Sequence, residues 1–173
     1  MTDLEATLPV QEQPSSWRGR VVDAVLVTAP LAVGGLTGAA TAPSIRGWYR
    51  TLRRPSWNPP DQVFGPVWTT LYATMGVALR DVARAPGRER AKAIAVGLFG
   101  LQLALNAGWS WLFFIQHDLA LAAVEVACLW LAIAATIAAF GRVRPRAGLL
   151  LVPYLGWVSF ASVLTLAIWR LNR

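Results

Sequence analysis

Nine tryptophans in 173 residues dominate the chemistry open to this chain. Trp68 and Tyr72 stand four apart, so on a helix they share one face. Trp157, Phe160 and Leu164 make a second face at helical spacing. Trp109, Trp111 and Trp130 also fall inside long apolar runs, where a headgroup anchor has no use. Trp17, Trp48 and Trp169 lie at run ends and read as such anchors. An interior indole either packs a core or touches a ligand, and composition alone leaves both open. Glu125 is the lone charge of its run. A carboxylate there is costly and usually faces the bundle interior or a wet cavity, as a structural hydrogen-bonding group or as part of a proton path. Asn106 suits a helix-to-helix hydrogen bond or a ligand's polar edge equally.

Other chemistries lack their residues. No metal cluster, phosphate-binding glycine loop or Ser-His-Asp arrangement is present. His117 is the only histidine and stands in a short loop beside Asp118, so no axial haem ligand is evident. Cys128, the only cysteine, excludes an intrachain disulfide and reads as packing among small residues. The net charge of +7 does not indicate nucleic acid, because Lys and Arg sit at the ends of apolar runs rather than along one stripe.

The elements that must position these side chains are membrane spans. The chain is 55% hydrophobic and only 14% charged, with a mean hydropathy of +0.47. Soluble domains carry roughly one quarter charged residues. A span needs about 20 apolar residues. Ala24 to Ile45, Gln62 to Leu79, Ala93 to Gln116, Leu119 to Gly141 and Ala147 to Trp169 supply five, with the first ending near Pro43. A soluble bundle would show polar faces at helical period, and 93–115 and 147–169 show no charged face. Lipid leaves backbone groups unsatisfied unless they pair internally, so the spans are helices. The expected fold class is an all-α membrane protein, a bundle of five transmembrane helices over 17–173. Residues 1–16 read as a disordered polar tail, and Asp3, Glu5 and Glu12 argue against a signal peptide. Three connections are short and force antiparallel neighbours. The first, Pro43 to Asp61, is long, proline-rich and holds Arg46, Arg50, Arg53 and Arg54. Long loops in compact proteins are often functional. Counting cations on the two sides weakly favours a cytoplasmic N-terminus, while the resemblance below implies the opposite, so orientation stays open.

Several ordered motifs resemble the tryptophan-rich sensory protein family, also called the TspO, translocator-protein or peripheral-type benzodiazepine receptor family. Trp48-Tyr49 and then Arg54-Pro55-Ser56-Trp57-Asn58-Pro59-Pro60 are similar to its first loop. Gly65-Pro66-Val67-Trp68-Thr69 with Leu71-Tyr72 and Met75-Gly76 resembles its second helix. Gln102-Leu103-Ala104-Leu105-Asn106 with Trp109 and Phe113-Phe114 resembles its third, and Pro153-Tyr154-Leu155 with Trp157 and Trp169-Arg170 its fifth. The match runs from Gly34 to Arg170.

The resemblance implies a homodimer that binds porphyrins, sterols and synthetic aromatic ligands inside the bundle, as a receptor or regulator of tetrapyrroles. Transport of porphyrins, sterols or lipids and light-dependent porphyrin breakdown are the alternatives it leaves. It implies ligand contact at Trp48, Trp57, Trp68, Tyr72, Asn106, Trp109, Trp157, Phe160 and Ala161. In the photochemical case Trp57 and Trp157 are the candidates to donate electrons to, or form a radical adduct with, excited porphyrin, and enzyme status is left open. A porphyrin is a flat apolar disc with carboxylates at one edge. Arg46, Arg50, Arg53 and Arg54 could meet those carboxylates bidentately, or meet lipid headgroups instead. Metal-free protoporphyrin, or haem without strong ligation, is the expected ligand, and no resident cofactor or metal is expected. Gly100, Ala104 and Gly108 form a small-residue stripe that the resemblance assigns to the dimer seam. Gly34 and Gly38 repeat the pattern on the first helix. The sterol stretch of animal members departs here: Leu166 holds its Tyr position, which lowers the expectation for sterol, and Thr165 holds its Asn position, which changes one polar contact near the pocket.

Overall fold

A computed structural model describes residues 17–173; the expected tail at 1–16 lies outside them. The described chain is helical without strands: α1 (Trp17–Arg46), a 3-10 turn (Trp48–Thr51), α2 (Asp61–Ala83), α3 (Glu89–Phe114), α4 (Leu119–Val143), α5 (Pro145–Leu150) and α6 (Val152–Leu171). The last two form one span with a break at Leu151. Pro153 in the first turn of α6 has no N–H to give the preceding turn, so α5 and α6 meet end to end rather than running on.

Four helical stretches of the described residues are long and apolar enough to cross a membrane: α1, α3, α4 and the α5–α6 pair. Among the described residues α2 is the remaining long helix of the expected five. The first span differs at both ends from its sequence reading. It already includes Trp17–Asp23, and Asp23 inside it is neutralised by Arg80 at 3.3 Å and Arg84 at 2.7 Å on α2. It also runs past Pro43 to Arg46, where the Pro43 carbonyl accepts from Gly47 N at 3.0 Å. Proline lacks an N–H and crowds the carbonyl one turn back, and at Pro43, exposed in the last turn of α1, the helix continues despite both.

The most extensive packing is of α3 on α4, followed by α1 on α2 and then α4 on α6. The buried core joins α2, α3, α4 and α6 through Tyr72, Met75, Phe99, Leu129, Ile133, Phe140 and Tyr154. A second cluster, Tyr49, Phe113, Ala122, Leu164 and Ile168, lies toward the first loop. Two glycines set the α1–α2 distance. A Cβ on Gly76 would stand 2.1 Å from the Val27 carbonyl oxygen, and one on Gly34 would stand 2.2 Å from the Tyr72 ring. Small residues let membrane helices approach backbone to backbone in this way. At the α3–α4 turn His117 adopts φ 57°, and the Asp118 carboxylate then caps α4 by accepting from Leu121 N at 2.8 Å.

Candidate functional site

Between α1, α2, α3 and α6 lies a cavity of about 520 Å³. α1 supplies a small-residue wall, Gly34, Gly35, Gly38 and Thr41. α2 supplies Phe64, Trp68 and Tyr72; α3 supplies Trp109, Phe113 and Phe114; α6 supplies Trp157 and Ala161. A flat wall opposite a run of aromatic faces makes a slot rather than a sphere, the shape a planar ligand fills.

The aromatic walls hold one another in place. Trp68 stacks on Tyr72 at 5.5 Å, and Trp109 on Phe113 at 5.2 Å. Trp157 meets Phe64 edge-on at 5.8 Å and Phe160 at 5.5 Å. Such contacts add about 0.5–1.5 kcal/mol each beyond burial, which fixes the slot before any ligand arrives. The indole nitrogens of Trp109 and Trp157 are buried, and neither has a hydrogen-bond acceptor among the described residues. An unmade buried hydrogen bond costs roughly 1–3 kcal/mol, so both favour a ligand bearing acceptors.

The mouth is polar. Asp61, in the first turn of α2, lines the cavity. Arg54 approaches it at 3.5 Å and Arg50 at 4.0 Å. Two guanidiniums around one carboxylate leave a positive excess suited to an anionic edge. Arg54 also lies 5.1 Å over the Tyr49 ring. Burial pushes the Tyr49 phenol up, against a smaller opposing pull from Arg54, so it stays a hydroxyl and donates to Asn58 Oδ1 at 2.9 Å.

The residues expected from sequence divide into three groups. Trp68, Tyr72, Trp109, Trp157 and Ala161 line the cavity together. Phe160, Trp57, Trp48 and Asn106 stand behind or beside it. Phe160 backs Trp157, and Trp57, 47% exposed, packs edge-on against Phe160 at 5.9 Å. Trp48 stacks on His117 at 3.9 Å, and His117 Nε2 lies 3.1 Å from Ser44 Oγ. Asn106 is buried behind Tyr72. Among the rim cations, Arg50 and Arg54 gather at Asp61. Arg53 is held by its backbone: its N–H donates to Asn172 Oδ1 at 2.9 Å, and its carbonyl accepts from Asn172 Nδ2 at 2.8 Å. Arg46 ends α1, exposed.

Gly100 and Ala104 are exposed on α3, with open space at Gly100. Gly108 faces Glu125, whose Oε1 would lie 3.8 Å from a Cβ there. Neither carboxyl oxygen of Glu125 has a hydrogen-bond partner among the described residues. Among the described residues no histidine, cysteine or methionine lines the cavity.

Sequence reasoning passed over Tyr49, Asp61, Phe64, Phe113, Phe114 and the α1 wall as parts of one site. The α1 signal was available: Gly34, Gly38, Thr41 and Ile45 recur at helical spacing, but small stripes in spans read first as helix-packing seams.

The TspO/MBR family profile matches residues 26–170. "Tryptophan-rich protein TspO" of Chlorobaculum tepidum is 44% identical over 153 residues, covering 85% of this chain and 97% of that protein. "Protein CrtK" of Rhodobacter capsulatus is 36% identical over 141 residues, covering 82% and 87%. "Translocator protein" of Homo sapiens is 42% identical over 127 residues, covering 73% and 75%. A bundle of apolar helices with an aromatic cavity, matched over most of its length at these identities, makes this chain an integral multi-pass membrane protein belonging to the TspO/MBR family.

Proposed function

We propose that this protein is a membrane receptor or regulator that takes a porphyrin into the cavity between α1, α2, α3 and α6. The observation that carries the reading is the slot itself: Trp68, Tyr72, Trp109 and Trp157 face a glycine-rich wall, with Arg50 and Arg54 at its mouth. The disc fills the slot, its carboxylates meet the guanidiniums, and no axial ligand is asked of the protein. Protoporphyrin titrated into detergent-purified protein in the dark is expected to quench tryptophan fluorescence saturably. Trp157→Phe is expected to weaken that binding. Quenching no greater than in protein-free detergent sinks the proposal. Sterols and other lipids then become the candidates for the same cavity.

Two further readings rest on residues of the same bundle. Breakdown of porphyrin under illumination would draw on Trp157, which lines the cavity, and on Trp57, which reaches it only through Phe160. It predicts bleaching that requires both light and Trp157. Transport rests on the unpaired Glu125 carboxyl inside a span, and predicts porphyrin flux into liposomes that Glu125→Gln slows. A homodimer through the exposed Gly100–Ala104 face of α3 is part of the proposal.

A further inference from the structure

The polar wall of the cavity continues behind Tyr72 into the bundle. Tyr72 Oη donates to Asn106 Oδ1 at 2.5 Å, Asn106 Nδ2 donates to Tyr154 Oη at 3.1 Å, and Tyr154 Oη donates to Gln102 Oε1 at 3.0 Å. The four residues come from α2, α3 and α6, and none is more than 7% exposed. Gln102 Nε2 is left without a partner, so the run ends there among the described residues. Of the four, only Tyr72 lines the cavity.

The direction of this run decides what Tyr72 offers a ligand. A phenol has one proton, and here it is committed to Asn106, so Oη can only accept from the cavity. Tyr154 cannot reclaim the Asn106 oxygen, because its own proton goes to Gln102. The rest of Tyr72 has no freedom left. Its ring lies against Gly34 on one side and stacks on Trp68 on another, so the hydroxyl torsion alone remains to be set. Away from water such runs polarise one another, which strengthens each bond.

We propose that Asn106 is a positioning residue: it does not touch the ligand but acts through Tyr72, fixing that hydroxyl as an acceptor toward the cavity, with Tyr154 and Gln102 holding Asn106 in turn. The consequence for ligand class is a division of labour around the slot. Tyr72 accepts, and the free indole N–H groups of Trp109 and Trp157 donate. A planar ligand with a donor toward α2 and acceptors toward α3 and α6 satisfies all three. This deepens the porphyrin reading and its binding arm rests on it.

The test is a double-mutant cycle with protoporphyrin as the probe, together with a ligand-free spectrum. Asn106→Leu is expected to weaken binding by about tenfold, the size of one buried hydrogen bond lost. Asn106→Asp, which keeps an oxygen at the Oδ1 position, is expected to bind within about twofold of the parent on the same scale. In a Tyr72→Phe background Asn106→Leu is expected to cost nothing further. Without ligand, the tyrosine Fermi doublet in ultraviolet resonance Raman, taken as a difference against Tyr72→Phe, should shift from donor to non-donor form in Asn106→Leu. Additive losses in the double variant would show that Asn106 meets the ligand itself and overturn the proposal. So would an unchanged doublet. If the parent binds no porphyrin, the function above fails while the doublet still decides the positioning role. If Asn106→Leu does not fold, Asn106→Ser carries the same comparison.

Discussion

At Gly34 one hydrogen atom separates a formed cavity from a displaced one. A methyl group there would meet the Tyr72 ring, which is already stacked on Trp68 and tied to Asn106. Gly34→Ala is therefore expected to cost about 1–3 kcal/mol, the usual penalty for overpacking. It should also weaken porphyrin binding, both read from thermal unfolding in detergent with and without ligand. Gly35→Ala meets nothing within 4 Å and should leave stability equal or slightly raised, since alanine is the better helix former. If both substitutions behave alike, the close approach does not govern the site. The aromatic residues that carry the slot are legible in the sequence because Trp68 and Tyr72 stand four apart and Trp109 and Trp157 fall inside apolar runs. The partner each one faces is not, since Tyr72 and Gly34 meet only after two helices cross.

Elements hold the site by clasps at their ends. The loop after α1 is fastened to the far end of the chain by the Asn172 side chain, which pairs with both backbone groups of Arg53 and also donates to the Ile168 carbonyl at 2.7 Å. His117 holds the start of the same loop through Trp48 and Ser44. Asn172→Ala is expected to free the loop. Trypsin should then cut the Arg53–Arg54 bond several-fold faster, while Arg54–Pro55 resists in every variant because proline follows it. An unchanged rate would mean the loop is held elsewhere. α5 offers a second check. A Cβ on Gly148 would lie 3.0 Å from the Ile137 carbonyl oxygen and 3.1 Å from Gly141, so Gly148→Ala should push α5 off α4 and lower the unfolding temperature. At this scale the five spans are legible from runs of uncharged residues, and the short turns from their lengths. The break at Leu151 and the passage of α1 beyond Pro43 are not. Proline marks where a helix loses a hydrogen bond, and whether the chain breaks there depends on what packs around the gap.

Across the whole molecule the outer faces must meet either lipid or a second copy. Cys128, exposed on α4, is the chain's only thiol, so replacing it gives a clean background for crosslinking. In Cys128→Ser, Ala104→Cys is expected to form disulfide-linked dimers in native membranes, and Leu36→Cys on the outer side of α1 is not. Equal crosslinking at both positions would remove α3 as the seam. The same outer view shows a difference between helices that bears on how the protein is made. By length and composition α1 is apolar enough to cross a bilayer; α2, which brings Phe64, Trp68 and Tyr72 to the cavity, is less apolar and is not among the helices that are. Yet α2 is bound to α1 through the Gly34–Tyr72 and Gly76–Val27 approaches and by the Asp23 pairs with Arg80 and Arg84. The two are then expected to act as a single unit of biogenesis, α2 entering the membrane as the second arm of a hairpin with α1. Glycosylation mapping of α2 alone and behind α1 should show poor insertion in the first case and full insertion in the second.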